Sequence, residues 1–150
     1  MNILIIYSTN SGSTYAAVQQ VADTLKEKHT VTIKEALDVK QEDLPPADAV
    51  VLASPSWDYE NKEGQPHENM MSLINSLKGK QIVKPFAILG LGDKSYTNFC
   101  GAVPIFEDFV KTCGGTLLID SLKVDQYYTN HDAAQQVTDW SNLLLQKLQS

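Results

Sequence analysis

Apolar positions in this chain are grouped in two ways. Residues 3–6 (Ile3-Leu4-Ile5-Ile6), 49–53 and 86–91 are apolar with little interruption and rich in branched side chains. Such runs predict strands buried on both faces, over residues 2–7, 49–53 and 86–91. Over residues 30–35 Val31 and Ile33 alternate with polar neighbours, as in a strand nearer a sheet edge. Residues 116–119 predict a further strand, which can resume at 122–124. Elsewhere the spacing is helical. Val18, Val21, Ala22 and Leu25 share one face of a helix over 13–28, and Met70, Ile74 and Leu77 one over 67–77. Ile105, Phe106, Phe109 and Val110 do so over 102–113, where Gly114-Gly115 stops the helix. A last stripe of Ala133, Val137, Trp140, Leu144 and Leu148 marks 133–148. Residues 39–46, 58–65 and 92–100 read as loops.

Strands alternating with helices predict an α/β fold: a doubly wound, five-stranded parallel sheet with helices on both faces. Its length of 150 residues fits one domain, 1–150. Ligands of such sheets sit beyond the carboxyl ends of the strands, where the strand order reverses. Three loops leave those ends, at 8–14, 54–65 and 90–100.

Composition narrows the partners. A formal charge of −6 argues against nucleic acid and allows a basic protein partner, although modest acidity also serves solubility alone. Cys100 and Cys113 lack metal-ligand spacing and fit an apolar helix face as small core residues. His29, His67 and His131 lie in separate segments, as solvated or capping residues do. No apolar run is long enough for a bilayer, and the N-terminus enters a strand at once, so the expected location is the cytoplasm.

The first loop carries Ser8, Thr9, Asn10, Ser11, Gly12, Ser13 and Thr14, immediately before a helix. A helix N-terminus has unpaired N–H groups and partial positive charge, so it attracts anions. The hydroxyls add neutral donors, and Gly12 permits close backbone approach. There is no Gly-Lys-Ser/Thr ending for a nucleoside triphosphate and no three-glycine dinucleotide pattern. The stretch suits one terminal phosphate, or is an N-cap with a polar turn. In the other two loops stand Trp57 and Tyr59, then Tyr96 and Phe99. A Trp and a Tyr from different loops either sandwich a flat ring or pack on loop backbone. Gly90 and Gly92 read as turn formers lying against a ring edge, and Asp93 as an acceptor for a ring N–H or a turn cap.

These three loops, in this order, resemble those of the short-chain flavodoxins, and the resemblance covers essentially the whole chain. Residues Ser8 to Thr14 match the family's FMN phosphate loop. Ser54, Pro55, Ser56, Trp57 and Asp58 match the loop whose Trp covers one face of the ring. Gly90, Leu91, Gly92, Asp93, Tyr96, Phe99 and Cys100 match the loop whose Tyr stacks on the other. The resemblance implies strand order 2-1-3-4-5 and a tightly held, non-covalent FMN. It implies a low-potential one-electron carrier working between semiquinone and hydroquinone, not an enzyme. Its partners would be redox proteins: a flavodoxin or ferredoxin reductase as donor, and low-potential acceptors. The expected state is a monomer, with neither nucleic acid nor membrane as partner. Many relatives carry Gly where this chain has Asp58. A flip of that peptide towards N5 would need φ > 0, which a Cβ resists by roughly 1 kcal/mol.

The physics agrees with such a role. A reduced flavin is negative at N1, and Asp58, Glu60, Glu63, Glu68 and Asp93 lie in or beside the ring loops against Lys62 and Lys94, so that charge becomes costly. The alternatives are a flavin reductase on the same fold, which needs a substrate cavity above the ring, and an FMN-dependent activator of ribonucleotide reductase. A phosphoryl-accepting receiver would need acids where Ser8 and Ser54 stand.

Overall fold

The computed structural model describes residues 1–9, 12–59, 62–93 and 100–149, apart from the side chains at 57–59 and 62–64. Strand β1 (Asn2–Tyr7) leads into α1 (Ser13–Leu25) and β2 (Thr30–Glu35). Two short 3-10 turns, Ala36–Asp38 and Gln41–Asp43, then precede β3 (Ala49–Tyr59) and β4 (Lys62–Pro66). There follow α2 (Glu68–Leu77), β5 (Pro85–Gly92), α3 (Ala102–Thr112), β6 (Thr116–Leu117), β7 (Leu122–Asp125) and α4 (Ala133–Gln149).

The sheet order is β2-β1-β3-β5-β6, with β7 also on β5 and β4 on β3. All pairs are parallel except β3 with β4. The order reverses between β1 and β3, so the loops after those two strands face a common crevice.

Alternation along the buried strands splits the core in two. Leu4, Ile6, Val50, Leu52, Phe86 and Ile88 meet Met70 and Ile74 of α2 and Val103 and Phe106 of α3. Ile3, Ile5, Val51, Ala53, Leu89 and Leu91 meet Val18, Val21 and Leu25 of α1 and Val137, Trp140 and Leu144 of α4. No helix among the described residues is long and apolar enough to cross a membrane.

Four expectations are corrected. The strand expected to stop at Ala53 runs on to Tyr59 and folds back antiparallel as β4, within a stretch read as a polar loop. β3 stays parallel to β5 as far as Pro55, opposite Leu91, and then pairs with β4 from Ser56, opposite Pro66. The strand expected over 116–119 is only Thr116–Leu117 (β6); it resumes near the expected place as β7, and each piece pairs with a different part of β5. Gly90 and Gly92 lie within β5 rather than in a turn. Cys100 precedes α3 in a left-handed conformation (φ 50°), and Cys113 is that helix's C-cap, although both are buried as expected.

Candidate functional site

The carboxyl ends of β1, β3, β5 and β7 surround a cavity of about 430 Å³ lined by Ser13, Pro55, Ser56, Leu91, Gly92 and Asp93, with Gln126 to Thr129 closing it. An apolar cleft of similar size, about 460 Å³, lies between α2 and α3, lined chiefly by aliphatic side chains such as Ile74, Leu77 and Ile105. It lies at the carboxyl ends of α2 and α3, away from the strand ends where ligands of such sheets bind, so the crevice is the better candidate.

At one end of the crevice α1 begins without a side-chain cap, on Gly12 in the left-handed region (φ 90°). Gly12 has no side chain to cap them, so among the described residues the first amides of α1 find neither an intrahelical partner nor a side-chain cap. Thr9 shapes the turn instead: its Oγ1 accepts from the Gly12 N–H at 2.9 Å. Thr14 is fully buried in the first turn, and its Oγ1 has no hydrogen-bond partner. A buried hydroxyl left unpaired costs about 1–3 kcal/mol, so this one waits for an acceptor. The first amides, an orphaned hydroxyl and the dipole of α1 together fit one phosphate group.

Ser8 looks elsewhere. It is buried, with its N–H on the Ala53 carbonyl at 3.1 Å and its hydroxyl towards Glu35 Oε1 at 3.5 Å. Glu35 also takes the Leu37 N–H at 2.9 Å and the Asn69 side-chain amide at 3.4 Å, tying the ends of β1 and β2 to α2. Ser8 and Thr9 thus hold the loop's shape, while Ser13 lines the cavity. Asn10 and Ser11 lie outside the described residues.

The serines of the second loop also have structural duties. Ser54 Oγ accepts the His67 N–H at 3.1 Å where α2 begins, and Ser56 Oγ accepts the Ala102 N–H at 2.9 Å where α3 begins. His67 is a capping histidine, with Nδ1 accepting from Asn69 N at 3.1 Å. Pro55 and Ser56 nevertheless border the cavity. Trp57 and Asp58 belong to the part of β3 whose pairing with β4 shifts register between Trp57 and Tyr59.

In the third loop, Leu91, Gly92 and Asp93 line the cavity. The two glycines are small because α3 is close. A Cβ on Gly90 would stand 2.4 Å from Val103 Cγ2, and one on Gly92 3.0 Å from Cys100 Sγ. Cys100 is therefore a support beneath the strand rather than part of the cavity wall. Burial pushes its thiol up to about 12, partly opposed by Lys123, so it stays protonated and inert at neutral pH. Asp93 Oδ1 accepts from Gln126 Nε2 at 3.1 Å. Tyr96 and Phe99 lie outside the described residues.

The sequence reading missed Gln126, Tyr127, Tyr128 and Thr129, which form one wall of the cavity. Two adjacent tyrosines in a loop leaving the same sheet end were the available signal. Burial raises the Tyr127 phenol above its ordinary range, with the neighbouring Tyr128 adding to the effect.

A family model described as Flavodoxin matches residues 5–140 of the chain. A flavodoxin of Maridesulfovibrio salexigens is 34% identical over 125 residues, which is 81% of this chain and 84% of that protein. The crystal structure of oxidised flavodoxin 2 from Bacillus cereus superposes with a TM-score of 0.89 at 25% identity, covering 98% of this chain and 99% of that one. A Fusobacterium nucleatum flavodoxin solved bound to flavin mononucleotide gives 0.83 at 18%, covering 97% of this chain and 98% of its own.

Proposed function

Because this chain belongs to the flavodoxin family, we propose that it is a low-potential carrier of single electrons that holds FMN in the crevice at the strand ends. The observation that carries this reading is the unpartnered, buried Thr14 hydroxyl at the uncapped start of α1. That end of the crevice suits a phosphate monoester, and no Lys or Arg occurs from residue 8 to 14. Residues 12–14 would hold the phosphate, and Pro55, Ser56, Leu91 and Gly92 would border the rest of the ligand. The rings of Trp57 and Tyr96 would cover its two faces. When bound, FMN supplies reversible one-electron chemistry.

The chain's own contribution is electrostatic. Asp93 in the cavity wall adds negative charge near the ligand, and no Lys or Arg lies in the phosphate loop. A negative environment makes electrons harder to add and easier to give away, which favours the lower of the two one-electron couples as the working one. The same acidity favours brief encounters with basic faces of redox proteins, a reductase as donor and low-potential proteins as acceptors. Such a carrier would work as a monomer in the cytoplasm.

The test is the visible spectrum of the purified full chain, with chromatography of the cofactor it releases. A flavin spectrum and released FMN are expected. A colourless protein that takes up no added FMN would refute the cofactor. Steady NADH oxidation without a partner protein would refute the carrier in favour of a reductase.

A further inference from the structure

One wall of the crevice has no role in the reading above: the loop between β7 and α4. Its shape is fixed from two sides. Gln126 is left-handed (φ 47°); its N–H donates to the Gly92 carbonyl at 2.8 Å and its side-chain amide to Asp93 Oδ1 at 3.1 Å. These bonds strap the loop to β5. On the other side, the Tyr127 hydroxyl donates to Gln20 Oε1. The Gln20 amide in turn reaches the Ala134 carbonyl at 3.1 Å and Thr138 Oγ1 at 3.3 Å, so the loop is strapped to α1 and α4 as well.

With Tyr127 packed against the core, Tyr128 turns outward and is 66% exposed. Its ring stands edge-on to that of Tyr127, with centroids 5.6 Å apart. Its hydroxyl is carried over the phosphate loop: a Cβ built on Gly12 would lie 3.6 Å from the Tyr128 oxygen. Across Gly12 lie the first amides of α1 and the orphaned Thr14 hydroxyl. A loop hydrogen-bonded on two sides therefore presents a neutral O–H donor to a cradle whose sequence, residues 8–14, has no Lys or Arg.

We propose that Tyr128 is a specificity-determining residue for the ligand's terminal phosphate, its hydroxyl donating to a phosphate oxygen and closing the cradle begun by residues 12–14. The proposal rests on the FMN reading and deepens it. Tyr128 acts at the phosphate end because its hydroxyl neighbours Gly12. A contact there distinguishes a phosphorylated flavin from the same flavin without phosphate, which a contact with the ring cannot do.

The experiment compares wild type with Tyr128→Phe, each freed of cofactor and titrated with FMN and with riboflavin. Only an oxygen is lost from an exposed ring, so folding is preserved. The FMN Kd should rise about tenfold, the loss of one hydrogen bond to a charged group, while the riboflavin Kd stays within about twofold. Inorganic phosphate gives a readout independent of flavin. It should raise the Tm of the cofactor-free wild type in proportion to its occupancy, and raise that of Tyr128→Phe less. An unchanged FMN Kd overturns the proposal. So does an equal loss for FMN and riboflavin, which would assign Tyr128 to the ring or ribityl wall, and so does an identical phosphate response. Failure of the FMN reading itself is distinguishable, because wild type would then bind neither flavin.

Discussion

Replacing Thr14 by Val should move two quantities in opposite directions. The substitution exchanges a buried hydroxyl for a methyl group of the same shape. In the cofactor-free protein that hydroxyl has no partner, so it carries a desolvation cost of about 1–3 kcal/mol that Val does not. Thr and Val differ little in helix propensity, so the backbone adds little. Cofactor-free Thr14→Val should therefore be more stable than wild type by about 1 kcal/mol, a Tm rise of about 2–4 °C for a domain of this size. With FMN present the sign reverses. A buried hydroxyl donating to a phosphate contributes about 1.5–3 kcal/mol, so the FMN Kd should rise roughly tenfold to a hundredfold. Urea denaturation of the cofactor-free protein gives the first number, and quenching of flavin fluorescence gives the second. Loss of more than about 1 kcal/mol in the cofactor-free protein would show that the hydroxyl already has an internal partner. An unchanged FMN Kd would show that phosphate does not reach the first turn of α1. Either result refutes the reasoning.

Three further outcomes test the supports of the site. Gly90→Ala should destabilise by about 1–3 kcal/mol, since its Cβ would meet Val103 Cγ2 at 2.4 Å, and adding Val103→Ala should recover part of that loss in a urea double-mutant cycle. Burial lifts the Cys100 thiol from 9.0 to about 12, so above pH 9 the unfolded chain releases a proton that the folded one keeps. Stability should then fall with rising pH by up to about 1.4 kcal/mol per unit from this group, and Cys100→Ala should flatten the decline in urea midpoints between about pH 9 and pH 10. Asp58 sits at the register shift between Trp57 and Tyr59, and Asp58→Gly should raise the first one-electron potential by about 40 mV, with Asn giving only the part due to charge. Potentiometric titration checks this, and an unchanged or lower potential would uncouple the turn from the flavin.

Most of the architecture is legible because each buried strand bounds its own apolar run. The predicted ranges 2–7 and 30–35 match β1 and β2, and 86–91 grows by one residue at each end to become β5. Helix starts at Ser13, Ala102 and Ala133 are likewise found. What fails is structure made by backbone pairing alone. β4, Lys-Glu-Gly-Gln-Pro, has no apolar alternation to betray it. The helix expected over residues 13–28 stops at Leu25, where the last turn tightens: Glu27 N and Lys28 N bond to the carbonyls three residues back, Thr24 at 3.3 Å and Leu25 at 3.2 Å.

The site was legible in composition but not in direction. A small hydroxyl suits both a phosphate and the start of a helix, so Ser54 and Ser56 read as ligand contacts while their oxygens accept the His67 and Ala102 amides. A glycine beside a pocket suits both close ligand approach and close helix approach. For Gly90 and Gly92 the neighbours a Cβ would strike are Val103 and Cys100. Even the missing fourth wall follows from physics. The three loops legible at the strand ends follow β1, β3 and β5, whereas β7 is Leu-Lys-Val-Asp, with Val124 its one fully buried side chain. Strand signal scales with buried apolar area, whereas strand position is set by the ladder from Leu89–Leu122 to Gly92–Asp125. Residues 122–124 read as the resumption of a strand, yet the loop that this short strand delivers to the crevice, carrying Tyr128, has no mark in sequence beyond its two tyrosines.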